Sequence, residues 1–187
     1  MTIRLAAPLQ SDSVVDGFGV RTVVWTQGCS HNCPFCQNPQ THDFEGGALF
    51  ELEDLFEELK DLEKQDGITL SGGDPLFQID AVTELAKFAQ SINLNVWCYT
   101  GFTYEQILEM GKKNKKYIDF LNYIDVLVDG KFVNELKDFN LLFRGSSNQR
   151  LINMKETLKQ NRVVLIPESD GIMERFQKKE KGVVVLS

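Results

Sequence analysis

The chain has 187 residues, 42% of them hydrophobic and 25% charged, an ordinary composition for a water-soluble protein and a length that suits one domain with its own core. Its 27 acidic and 20 basic residues leave a formal charge of −7, which argues against sequence-independent nucleic-acid binding and against a polybasic membrane surface. No run approaches the roughly eighteen apolar residues of a membrane span, and Met1-Thr2-Ile3-Arg4-Leu5 has no signal-peptide core, so the expected setting is the cytoplasm, where thiols stay reduced.

In chain order, Val20 to Thr26 contains Val20, Thr22, Val23, Val24 and Trp25, β-branched and aromatic residues that predict a buried strand. It runs straight into Gly28 and a cysteine loop. Leu52, Leu55, Phe56, Leu59 and Leu62 recur at three and four residues with Glu and Lys between them, which predicts an amphipathic helix over 50–65. Its acidic outer face reads as solvated surface. Ile68-Thr69-Leu70 predicts a short strand ending at Gly72-Gly73, and Val82, Leu85, Ala86, Ala89 and Ile92 mark the next helix. Leu94 to Tyr99 predicts a strand ending at Thr100-Gly101, with a helix from about 103 after it. Ile124 to Val128 predicts a strand ending at Asp129-Gly130, and Leu141-Leu142-Phe143 another ending at Arg144-Gly145. Val163 to Ile166 and Val183 to Leu186 read as two strands around a charged segment containing a helix, Ile172 to Lys179.

Alternating strands and helices imply an α/β fold with parallel strands, and five or six βα units are too few for a closed eight-stranded barrel. No repeat or linker divides the sequence, so a single domain over 1–187 is expected, with 156–187 as a C-terminal extension of it. Loops that follow parallel strands share one face of the sheet. The cysteines, Gly72-Gly73-Asp74, Thr100-Gly101, Asp129-Gly130-Lys131 and Arg144 are therefore expected to converge.

The cysteine loop, Gly28-Cys29-Ser30-His31-Asn32-Cys33-Pro34-Phe35-Cys36-Gln37-Asn38-Pro39, sets three thiols at gaps of three and two residues. Clustered thiolates favour zinc or an iron–sulfur cluster. A closed zinc site and a simple cubane each take four ligands, so three cysteines leave one corner open. Two readings follow: a three-cysteine 4Fe-4S cluster with one exposed iron, or a zinc knuckle completed by His31, His42 or Cys98. Cys98 itself lies in the apolar run Leu94 to Tyr99 and reads as a small buried hydrophobe.

The C-x3-C-x2-C spacing, with Phe35 before the last cysteine, resembles the cluster loop of radical S-adenosylmethionine enzymes. Four further stretches are similar to the anaerobic (class III) ribonucleotide reductase activating enzymes: Asp16-Gly17-Phe18-Gly19-Val20-Arg21, Ser71-Gly72-Gly73-Asp74-Pro75-Leu76, Val128-Asp129-Gly130-Lys131-Phe132, and Arg144-Gly145-Ser146-Ser147-Asn148-Gln149-Arg150. The resemblance covers residues 14–155. It implies an open, partial (βα) barrel of about five or six parallel strands, in which Cys29, Cys33 and Cys36 hold a 4Fe-4S cluster and S-adenosyl-L-methionine chelates the open iron. One-electron cleavage then yields a 5′-deoxyadenosyl radical that takes hydrogen from a glycine of anaerobic ribonucleoside-triphosphate reductase. The implied partners are that reductase and a low-potential donor such as flavodoxin, in an anaerobic setting and with no conventional acid–base residue. A pyruvate formate-lyase activating enzyme is the alternative within the same superfamily.

The same resemblance implies that Gly72 and Gly73 let backbone carbonyls approach the cofactor, with Asp74 accepting from its ammonium group. Phe35 is expected on the adenine, and Gln37, beside Cys36, in polar contact with the nucleoside. Lys131 is expected on the cofactor carboxylate, and Asp129 and Thr100 near it. The donor-rich Arg144 to Arg150 loop either caps its own backbone or meets something polar, and the resemblance favours the second.

Overall fold

The computed structural model describes residues 1–167. The expected helix Ile172 to Lys179 and strand Val183 to Leu186 lie outside the described residues. At the centre are four parallel strands: β3 (Arg21–Thr26), β5 (Gly67–Gly72), β6 (Asn95–Tyr99) and β7 (Val126–Asp129). Their β-branched and aromatic residues form the expected ladders, Arg21 opposite Gly67 through Thr26 opposite Gly72, then Leu70 opposite Cys98 and Tyr99 opposite Val128.

Antiparallel strands complete the sheet at both sides. β1 (Thr2–Leu5) pairs with β3 and with β4 (Ala48–Glu51), and β2 (Gln10–Ser13) shares the same edge of β3. At the far side β8 (Arg150–Asn153) runs against β7. Four parallel strands rather than five or six are therefore present among the described residues. The expected strand Leu141 to Phe143 is a turn. Phe143 adopts a left-handed backbone (φ 55°), which breaks an extended run, and its ring covers the sheet, 4.8 Å from Phe18 and 5.5 Å from Trp97. Val163 to Ile166 contributes only an isolated bridge between Leu165 and Ile152.

The helices are α1 (Leu52–Asp61), α2 (Ile79–Ser91), α3 (Tyr104–Lys113), α4 (Lys116–Leu121) and α5 (Met154–Gln160). α1 buries Leu52, Leu55 and Leu59 and exposes Glu53, Asp54, Glu57 and Glu58, as its period predicts. Each buried leucine contributes about 1.5–3 kcal/mol. It is shorter than 50–65 because β4 takes the preceding residues and Leu62 returns to extended backbone. The helix expected from about 103 starts at Tyr104 on a capping box between Thr103 and Gln106, and α4 is separate from it.

Strand alternation sends Val96, Cys98 and Leu127 to one face and Trp97, Val126 and Val128 to the other. The first face packs against all five helices. The second is covered by loop residues Phe18 and Phe143, by Ile166, and by the buried guanidinium of Arg21, 5.3 Å over the Trp97 ring. Helices on one face leave the other accessible to the loops that follow β3, β5, β6 and β7.

Candidate functional site

β3 delivers the chain to Gly28, whose φ of 100° and whose closeness to Phe44, 2.6 Å from an added Cβ, both require glycine. The base of the cysteine loop is then clamped: the Gly28 N–H donates to Thr41 O (2.8 Å) and the Cys29 N–H to His42 O (3.1 Å). Within the loop the Cys36 N–H donates to Cys33 O (3.2 Å) and the Asn38 N–H to the Cys36 Sγ (3.4 Å). Gly73 and Asp74 join β5 to this base through N–H bonds to Thr26 O (2.7 Å) and Gly28 O (3.0 Å). A Cβ on Gly72 would stand 2.5 Å from Thr26 O and one on Gly73 2.5 Å from Gly28 O. Two glycines are thus what lets the end of β5 lie against the cysteine loop.

Cys29, Cys33 and Cys36 open onto one cavity of about 450 Å³, which Gly72, Gly73, Thr100, Lys131 and Gln37 also line. All four cysteines are free thiols. Burial, with added repulsion from the Asp74 carboxylate, Cys33 and Cys36, pushes the Cys29 thiol up to about 11. Burial and Cys36 also raise Cys33, against a lowering pull from the Lys131 ammonium. Cys98 is wholly buried in the helical core, off the cavity, and burial raises its thiol well above the ordinary range. Among the described residues no three His, Cys, Asp or Glu side chains are gathered for one metal ion. Three soft donors on one loop around one cavity do fit a cluster, whose thiolates stand at separate corners.

The chain matches the 4Fe-4S single cluster domain family over residues 15–152. It is 36% identical over 151 residues to the anaerobic ribonucleoside-triphosphate reductase-activating protein of Haemophilus influenzae, covering 76% of this chain and 93% of that protein. The proteins of that name from Escherichia coli K12 and phage T4 are 38% and 35% identical, over 73% of this chain and 90% and 86% of theirs. This chain belongs to that family. Among solved structures, QueE from Escherichia coli aligns over 55% of this chain and 54% of its own at 14% identity and a TM-score of 0.44, too slight a likeness to assign a fold.

Three residues expected at the family's cofactor site are absent from the cavity wall. Asp74 is fully buried and absent from the cavity wall. Its carboxylate accepts from the Leu76 N–H (3.0 Å), the Thr100 hydroxyl (2.8 Å), the Gly101 N–H (2.9 Å) and His31 Nε2 (2.6 Å), which uses up its capacity. Asp129 is likewise buried, accepting from the Tyr104 N–H (2.7 Å) at the start of α3 and from Arg150 (2.9 Å). Phe35 is 77% exposed with a left-handed φ of 57°.

The Arg144 to Arg150 loop largely caps backbone. Gln149 accepts from the Gly145 N–H (2.9 Å) and donates to Gly130 O (3.0 Å), and Asn148 donates to Lys131 O (2.8 Å). Arg144 and Gln149 also reach the cavity wall. His31, whose ring the sequence offered only as a zinc ligand, lines the same cavity between Cys29 and Cys33 and meets the Asp74 carboxylate, a contact that sequence reasoning missed.

Proposed function

We propose that this chain is an activating enzyme that binds a 4Fe-4S cluster through Cys29, Cys33 and Cys36 and S-adenosylmethionine in the adjoining cavity, and generates the glycyl radical of anaerobic ribonucleoside-triphosphate reductase. The observation that carries the reading is that the three thiols and the loops after β5, β6 and β7 meet around one cavity. When bound, the two cofactors supply the electron and the adenosyl-derived radical that removes hydrogen from the substrate glycine. The residues of this chain hold and enclose. Gly72 and Gly73 present backbone where a side chain would collide. Lys131, exposed on the wall with its ammonium 3.5 Å from His31 O, is positioned to neutralise a carboxylate. Gln37 and Thr100 also line the cavity.

The one-sided helices and open sheet support reading the fold as an open, partial barrel in a single domain over 1–187, with the cavity on its inner side and 156–187 extending it. A low-potential carrier such as flavodoxin is the proposed electron donor, and the cytoplasm the proposed location. No helix among the described residues is long and apolar enough to cross a membrane. Anaerobically reconstituted protein, given reductant and S-adenosylmethionine, should raise a glycyl radical resonance in the ribonucleotide reductase. Silence there with a signal in pyruvate formate-lyase would overturn the choice of substrate.

A further inference from the structure

The Asp74 carboxylate ties three loops together. It caps its own turn through Leu76, takes two donors from the loop after β6, Thr100 and Gly101, and takes His31 Nε2 from the cysteine loop at 2.6 Å. Both side chains are sequestered, His31 at 8% exposure and Asp74 at 0%. The Leu76 and Gly101 N–H groups already donate to this carboxylate, and the imidazole proton is assigned to Nε2 as a further donor to it.

The histidine has a seat shaped for it. A Cβ on Gly101 would come within 2.4 Å of its ring, the Phe102 ring meets it edge-on at 4.5 Å, and Phe77 lies at 5.8 Å. The backbone clamp at Gly28 and Cys29 holds the base of the cysteine loop, whereas His31 stands within its arc, two residues from Cys29 and from Cys33.

We propose that the His31–Asp74 hydrogen bond is a lock that sets the position of the cysteine loop over the cavity, with His31 a positioning residue for the cluster and for S-adenosylmethionine beside it. The inference deepens the function proposed above and rests on it. It also gives Asp74 a task other than touching the cofactor: the carboxylate aligns the cysteine loop with the loops after β5 and β6, so that the thiols and the cavity wall form one surface.

In the cluster-free, metal-free protein, nitrogen-edited NMR should show a low-field imidazole Nε2–H proton protected from exchange, and Asp74→Asn should abolish it. Absence of that resonance in the parent overturns the lock. After anaerobic reconstitution and comparison at equal iron and sulfide content, His31→Ala should need about tenfold to a hundredfold more S-adenosylmethionine than the parent to shift the paramagnetic resonance of the reduced cluster. His31→Gln, whose amide N–H can reach the same carboxylate oxygen, should recover most of that response. A parent-like response in His31→Ala, or a glutamine variant no better than alanine, also overturns the proposal. If His31→Ala does not fold, His31→Asn, polar but too short to reach Asp74, takes its place in the comparison with His31→Gln. A parent that never takes up a cluster counts against the proposed function instead, and the lock is then decided by the low-field resonance and its loss in Asp74→Asn.

Discussion

Four cysteines of one chemical type divide into two roles by environment. Cys29, Cys33 and Cys36 share a cavity, whereas Cys98 sits in the helical core. Cys36→Ala should lose the cluster, read as iron and sulfide content after reconstitution. Cys98→Ala should keep it and lose only about 1 kcal/mol in urea unfolding, the cost of a small cavity. Glu105 titrates in a way that tests the Arg150 network. Hydrogen bonding to Arg150 (2.8 Å) lowers its carboxyl from the usual 4.5 to about 2. A depressed folded-state pKa gives stability that is present above 4.5 and lost as pH falls toward about 2. Because Glu105 is 58% exposed, screening limits the effect to less than about 1 kcal/mol. The stability difference between parent and Glu105→Gln should therefore appear above pH 4.5 and vanish near pH 2.

Among the elements, α3 shows how a local signal fixes where a functional loop ends. Thr103 and Gln106 form a reciprocal cap, and Asp129 accepts from the Tyr104 N–H, so the loop Thr100 to Phe102 is pinned between β6 and the helix. Thr103→Ala should cost about 1 kcal/mol of stability by thermal unfolding, with the cluster content unchanged. Gly72→Ala should be more harmful. Its φ of 104° and an added Cβ 2.5 Å from Thr26 O force β5 away from β3 at the point where the cysteine loop begins. Both lowered stability and reduced iron content are expected, the second measured on protein that remains folded.

Across the whole molecule, β6 and β7 feed two cores at once, since Val96, Cys98 and Leu127 pack under the helices while Trp97, Val126 and Val128 lie on the other face with Phe18 and Phe143. Neither core can melt while the sheet stays intact. Urea unfolding followed by tryptophan fluorescence and by far-ultraviolet circular dichroism should give coincident transitions; separated midpoints would mean two independent units.

The amino-acid sequence by itself determined the four parallel strands, the faces of α1 and α2 and the three-cysteine loop, because hydrophobic period and cysteine spacing act over a few neighbouring residues. The antiparallel strands β1, β2, β4 and β8 escaped it: each is four residues long, and their pairing is fixed by partners far along the chain. Leu141 to Phe143 misled for the same reason, an apolar run being equally suited to a strand or to a loop laid over a sheet face. Tertiary structure alone decided which expected site residues reach the cavity. Asp74 and Asp129 are turned inward because donors distant in sequence, His31, Thr100 and Arg150, claim their carboxylates, and hydrogen bonds between residues so far apart in sequence leave no periodic trace in it.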